Sequence, residues 1–197
     1  MGLYVSSLKS LPYAGRSLYV YLLDYGWPDD DYAALFKRHF LGLANRASET
    51  EAIVVASERG IHFANEVFDW HSIVGLDANQ VLPAIMISTV HPHYFERGSF
   101  REDTGEAHDL VLIPLREACT SPDEFLQLVG SIFDDLERGL TLRQFAIAKK
   151  DRGPFGLVDG ELGLVKRSWA ATILQPNFMG VGVDLKKLFS KDHGKAR

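Results

Sequence analysis

The chain has one cysteine, Cys119, in 197 residues. A single thiol can neither close an intramolecular disulfide nor build a four-thiolate metal site. Dithiol exchange needs an attacking and a resolving thiol, so that mechanism is chemically closed within one chain. The same scarcity fits a reducing compartment, and a cytoplasmic location is expected. Long apolar runs are missing too. No stretch approaches the roughly 20 apolar residues of a membrane span, and no apolar run follows a basic segment as in a secretory leader. Met1-Gly2 through Ser6 matches an acylation pattern, but no polybasic patch follows as a second anchor, so no membrane partner is expected. Positive charge is also in deficit. A formal net charge of −5 argues against a phosphate-backbone binder, which needs excess Lys and Arg to release counterions. The nearest basic cluster, from Lys186 to Arg197, reads as a solvated tail.

What is present suits a globular α/β protein: hydrophobic residues make up 46% and charged residues 24%, far from the composition that leaves a chain disordered. Leu18 to Leu23 is a short run of β-formers and reads as a buried strand. Asp29, Asp30 and Asp31 then offer a cap and an acidic first turn for a helix carrying Tyr32, Leu35, Phe36, Phe40 and Leu43 at helical spacing. Glu51 to Ala56 reads as the next strand, parallel to the first across that crossover helix. Phe63, Val67, Trp70 and Val74 share one face of a second helix. Pro83 opens a third strand, Ala84 to Ser88, and Leu110 to Leu115 forms a fourth after a polar insertion from His91 to Asp109. Ser121-Pro122-Asp123 caps a last core helix striped with Phe125, Leu128, Val129, Ile132, Phe133 and Leu136.

This order, strand, helix, strand, helix, strand, strand, helix from Leu18 to Arg138, resembles the thioredoxin fold. In that fold the redox motif follows the first strand and a cis-proline precedes the third. Trp27-Pro28-Asp29-Asp30 stands where Trp-Cys-Gly-Pro-Cys would, and Leu82-Pro83-Ala84 where the cis-proline would. The resemblance therefore implies a thioredoxin-like mixed sheet flanked by helices, a cis bond before Pro83, and a fourth strand running parallel to the first. It also implies that Trp27, Pro83 and Cys119 meet at one end of the sheet.

Residues 139–197 do not belong to that core of residues 1–138 and read as a β-rich C-terminal extension, packed on the core or on a partner. Arg143 to Ala148 suggests a strand, Leu157 to Val165 a hairpin about Asp159-Gly160, Ser168 to Leu174 another strand, and Asp184 the cap of a short final helix. The glycines in Phe178 to Val183 lack the third glycine of a dinucleotide fingerprint, and no phosphate-binding loop occurs elsewhere. Apolar residues from Phe145 to Val183 are too numerous to leave in water, so the segment is expected to fold.

Three functional readings follow. The leading one is a non-catalytic, redox-inactive thioredoxin-like module that binds a protein partner or a second copy of itself, without cofactor. Tyr13, Tyr25, Trp27 and Trp169 are residue types enriched at interfaces. The second is a ligand binder or transferase resembling the glutathione-using members of the superfamily, with Leu82, Pro83, Thr120 and Ser121 holding the tripeptide and Tyr25 or Cys119 acting on a thiol; its second domain is helical, unlike the extension here. A thiol just ahead of a helix N-terminus is acidified in many proteins; burial as a small hydrophobe is the competing fate of Cys119. The third is a metal-dependent hydrolase using His91, His93 and His108 of the insertion, whose imidazoles suit zinc but whose spacing matches no metal motif. No nucleophile–His–acid ordering is distinguishable.

Overall fold

A computed structural model describes residues 1–13, 15–27, 31–71, 73, 77–93, 110–138 and 172–174. Its elements are β1 (Gly2–Tyr4), a 3-10 turn (Leu8–Ser10), β2 (Leu18–Leu23), α1 (Asp31–Glu49), β3 (Ala52–Ala56), α2 (Ile61–Trp70), α3 (Ala78–Val81), β4 (Ala84–Ser88), β5 (Leu110–Pro114), α4 (Leu115–Ala118), α5 (Pro122–Glu137) and β6 (Thr172–Leu174). They form a mixed sheet in the order β1-β3-β2-β4-β5-β6. β1, β3 and β2 are mutually parallel neighbours, while β4 runs antiparallel to both β2 and β5. Hence β5 points the same way as β2. β6 pairs antiparallel with β5, Val111 opposite Ile173.

The central strands are buried on both faces, which is why they read as continuous apolar runs instead of an alternation. Successive side chains still divide between two layers. Val20, Leu22, Val54, Ile85, Ile87 and Val111 face a core completed by α1 and α5, through residues such as Phe36, Leu43, Phe125 and Phe133. Tyr19, Tyr21, Ile53, Val55, Met86 and Leu112 face the other side, where α2, α3 and the 3-10 turn supply Phe63, Val67, Val81 and Leu8. The result is helices on both faces of a mixed sheet.

Several boundaries differ from those expected. β1 has three residues opening on a glycine, and too little pattern to be read as a strand; the sheet accepts it because Val54 N–H donates to Met1 O at 2.8 Å and Val5 N–H to Ala56 O at 2.9 Å. Glu51 sits at φ 55 and turns the chain before β3 begins at Ala52. β5 ends at Pro114, because Leu115 N–H leaves the ladder to donate to Pro83 O at 2.8 Å and starts α4. The short α3, absent from the periodicity, is capped by Asp77, whose side chain accepts from Asn79 N–H. The Leu82–Pro83 bond is cis, as expected. Of the extension, β6 falls within Ser168 to Leu174; the strand at Arg143, the Asp159-Gly160 hairpin and the final helix lie outside the described residues.

No described helix is long and apolar enough to cross a membrane.

Candidate functional site

Strand register decides what meets at each end of the sheet. Leu23 pairs with Ala84, and Ala84 with Pro114. The chain leaving β2, the chain entering β4 and the chain leaving β5 therefore converge at one pole. β3, parallel to β2, ends there as well. Tyr25 is the hub of this pole. Its ring is buried, its hydroxyl donates to Asn79 O at 2.9 Å, and its carbonyl accepts from Ile61 N–H at 3.4 Å. Trp27 stacks on it at 4.9 Å between centroids, and the Arg116 guanidinium from α4 lies 5.3 Å over the Tyr25 ring. Trp27 is nevertheless 64% exposed, so one large aromatic surface faces solvent while its neighbour anchors it.

Two glycines permit this arrangement. Gly26 and Gly60 adopt φ 75 and φ 54, and a Cβ on Gly60 would stand 2.5 Å from Gly26 Cα. The β2–α1 and β3–α2 connections thus touch backbone to backbone, which only glycine at both positions allows.

Leu82 and Pro83 are buried at the same pole. The Leu82 N–H donates to Ala78 O at 3.0 Å, and Pro83 O is taken by Leu115 N–H, so both of these backbone groups are engaged internally. Cys119, Thr120 and Ser121 follow α4. Ser121 Oγ accepts from Glu124 N–H at 3.2 Å, while the Glu124 carboxylate takes Thr120 N–H and, at 2.8 Å, Thr120 Oγ1–H. The N-terminus of α5 is therefore closed by its own capping residues. Cys119 is 3% exposed. Burial first, and the Glu124 carboxylate second, push its thiol up to about 12, the opposite of the acidification a nucleophile needs. Asp29 and Asp30 lie outside the described residues.

The opposite pole holds the histidines. Ser88 Oγ–H donates to Val90 O at 3.2 Å and its oxygen accepts Val90 N–H at 3.1 Å, turning the chain after β4. His91 then folds in, 3% exposed. His91 Nδ1 accepts His93 N–H at 3.1 Å, which leaves Nε2 to carry the proton and donate to Pro12 O at 3.3 Å. Both ring nitrogens are spoken for, so His91 has no lone pair to offer a metal. His93 stacks on it at 4.8 Å, with Trp70 6.0 Å from His93 and the Tyr13 and Tyr19 rings each 5.2 Å from His91. Burial, with His93 beside it, holds the His91 imidazole below its ordinary value. Among the described residues no group of three or more His, Cys, Asp or Glu is placed to hold a metal ion; His108 lies outside them.

Sequence reasoning assembled Tyr25, Trp27, Leu82, Pro83, Cys119, Thr120 and Ser121 at one end through the resemblance. It missed Arg116, in a four-residue helix without periodicity, and Gly60, whose partner Gly26 is distant in the chain.

No protein-family model, curated protein or solved structure matches the chain.

Proposed function

We propose that the chain is a redox-inactive, thioredoxin-like module whose Trp27 pole binds a protein partner. Trp27, exposed yet stacked on an anchored Tyr25 beside the Arg116 cation, is the observation that carries this reading, because Trp, Tyr and Arg dominate interface hot spots. Tyr25 holds Trp27 in place, so less ordering entropy is lost on docking. The mixed sheet is compatible with a thioredoxin-like frame: β2 lies between a parallel and an antiparallel neighbour, and β5 runs with β2. The Cys119 thiol, buried and pushed up to about 12, supports the absence of thiol chemistry. The engaged groups at Leu82, Pro83, Thr120 and Ser121 favour this reading over a glutathione-like ligand. One cysteine in the chain fits a cytoplasmic setting.

A photo-crosslinking side chain placed at position 27 tests the reading in an extract of the source cells, with position 41 on the outer face of α1 as control. The expected result is a discrete adduct from position 27, none from position 41, and loss of the adduct in Arg116→Ala. Equal labelling from both positions would sink the proposal. Saturable quenching of Trp27 fluorescence by glutathione would replace it with the ligand reading.

A further inference from the structure

The His91 turn lies at the pole remote from Trp27 and does something the binding face does not require. Its imidazole is inserted between two parts of the molecule: Tyr19 of β2 approaches it edge-on, while Pro12 and Tyr13 of the N-terminal segment contact its far nitrogen and its ring. Among the described residues the titratable groups facing it are His93 of the same turn, Tyr13 and Tyr19; Trp70 of α2 closes the stack behind His93. Among the described residues, His93 is the ionisable group that lowers it by charge.

We propose that residues 88–93 form an acid-opened latch that holds residues 12–13 against the end of the sheet. In the closed form Nδ1 must be an acceptor, since His93 N–H points at it from 3.1 Å. Protonation puts a second N–H there. Two donors then face each other in a buried site, and that bond is lost. The Nε2–H to Pro12 O contact tolerates the proton by itself, so the break comes at Nδ1. Once the imidazolium leaves its place among Tyr19 and His93, the Pro12 contact goes with it. The stacked His93 imidazole acts in the same direction. Acid therefore loosens the turn and the N-terminal segment together, while the sheet stays paired.

Hydrogen exchange of the full chain between pH 7.5 and 5, corrected for intrinsic rates, reads this out. Exchange in residues 10–16 and 89–93 is expected to rise by up to about tenfold per pH unit below about 6.5, the ordinary value for an open His, with β3 and β4 unchanged. His91→Asn supplies an Oδ1 acceptor where Nδ1 stood and cannot titrate, so it abolishes the rise. His93→Ala removes the imidazole that disfavours charge on His91 and shrinks the rise. A ring-nitrogen correlation spectrum of the wild-type protein at pH 7.5 gives a second readout, with His91 expected as the Nε2–H tautomer. An Nδ1–H tautomer, a rise shared by β3 and β4, a flat wild-type profile, or the same rise in His91→Asn would overturn the latch.

Discussion

Two side chains carry chemistry opposite to what their residue type suggests. Cys119 is a free thiol that does not behave as one. With its thiol pushed up to about 12 by burial, very little of it is thiolate at pH 8. Native protein is therefore expected to react with an aromatic disulfide reagent orders of magnitude more slowly than the guanidinium-unfolded chain, and insulin disulfides remain unreduced. Rapid stoichiometric labelling of the native state would contradict the burial. His71 closes α2, 1% exposed, with Nδ1 2.8 Å from Val67 O and its ring centroid 5.3 Å from that of Tyr21 in a T-shaped arrangement. Burial lowers its value to about 4, against the partial support of that carbonyl. The unfolded chain thus binds the proton more readily than the folded one. The stabilising difference is complete above about 6.5 and is lost as pH falls from there towards 4, amounting to roughly 3 kcal/mol. Urea titrations of wild type and His71→Phe across that range check it: the pH slope should shrink in the variant. The apolar spacing of Phe63, Val67, Trp70 and Val74 runs past His71 and allows it a core place, but a histidine at a helix end fits the surface equally well, so the sequence did not decide its burial.

At the scale of the elements, the strands from β2 to β5 were legible because each is a run of Val, Ile, Leu and aromatic residues bounded by turn-formers. Helices α1 and α5 announced themselves by spacing and by their acidic or Ser-Pro starts. β1 and α3, of three and four residues, fall below the length at which a period can be seen; hydrogen bonds to β3 make the first and the local Asp77 cap the second. The link between connections was invisible for a different reason. Gly26 and Gly60 look like two ordinary turn glycines until the parallel pairing of β2 and β3 brings them into contact. Gly60→Ala is expected to cost roughly 1–3 kcal/mol through backbone strain alone, with the approach to Gly26 added. Thermal unfolding followed by circular dichroism measures it; an unchanged midpoint would mean the two connections separate easily. Because Tyr25 O accepts from Ile61 N–H at this contact, the same variant should also weaken crosslinking through position 27.

For the molecule as a whole, the position of β6 matters most. The sequence separated residues 139–197 as an extension, on the ground that the core pattern ends at Arg138. Thr172–Leu174 nonetheless completes the sheet beyond β5. Truncation after residue 138 therefore strips a partner from the β5 edge, and an unpaired edge recruits other chains. The truncated protein is expected to self-associate more strongly than the full chain in sedimentation velocity experiments. Equal sedimentation of the two would show that β5 needs no cover.

β6 also fixes an order of events during synthesis. The five strands from β1 to β5 are complete once residue 114 has emerged, whereas the sixth begins at residue 172. At ordinary ribosomal rates the intervening residues take about 3–12 s to make. For that interval the β5 flank of each nascent chain has no β6 to cover it, so crowding on a polysome is a condition under which this protein is exposed to pairing with its neighbours.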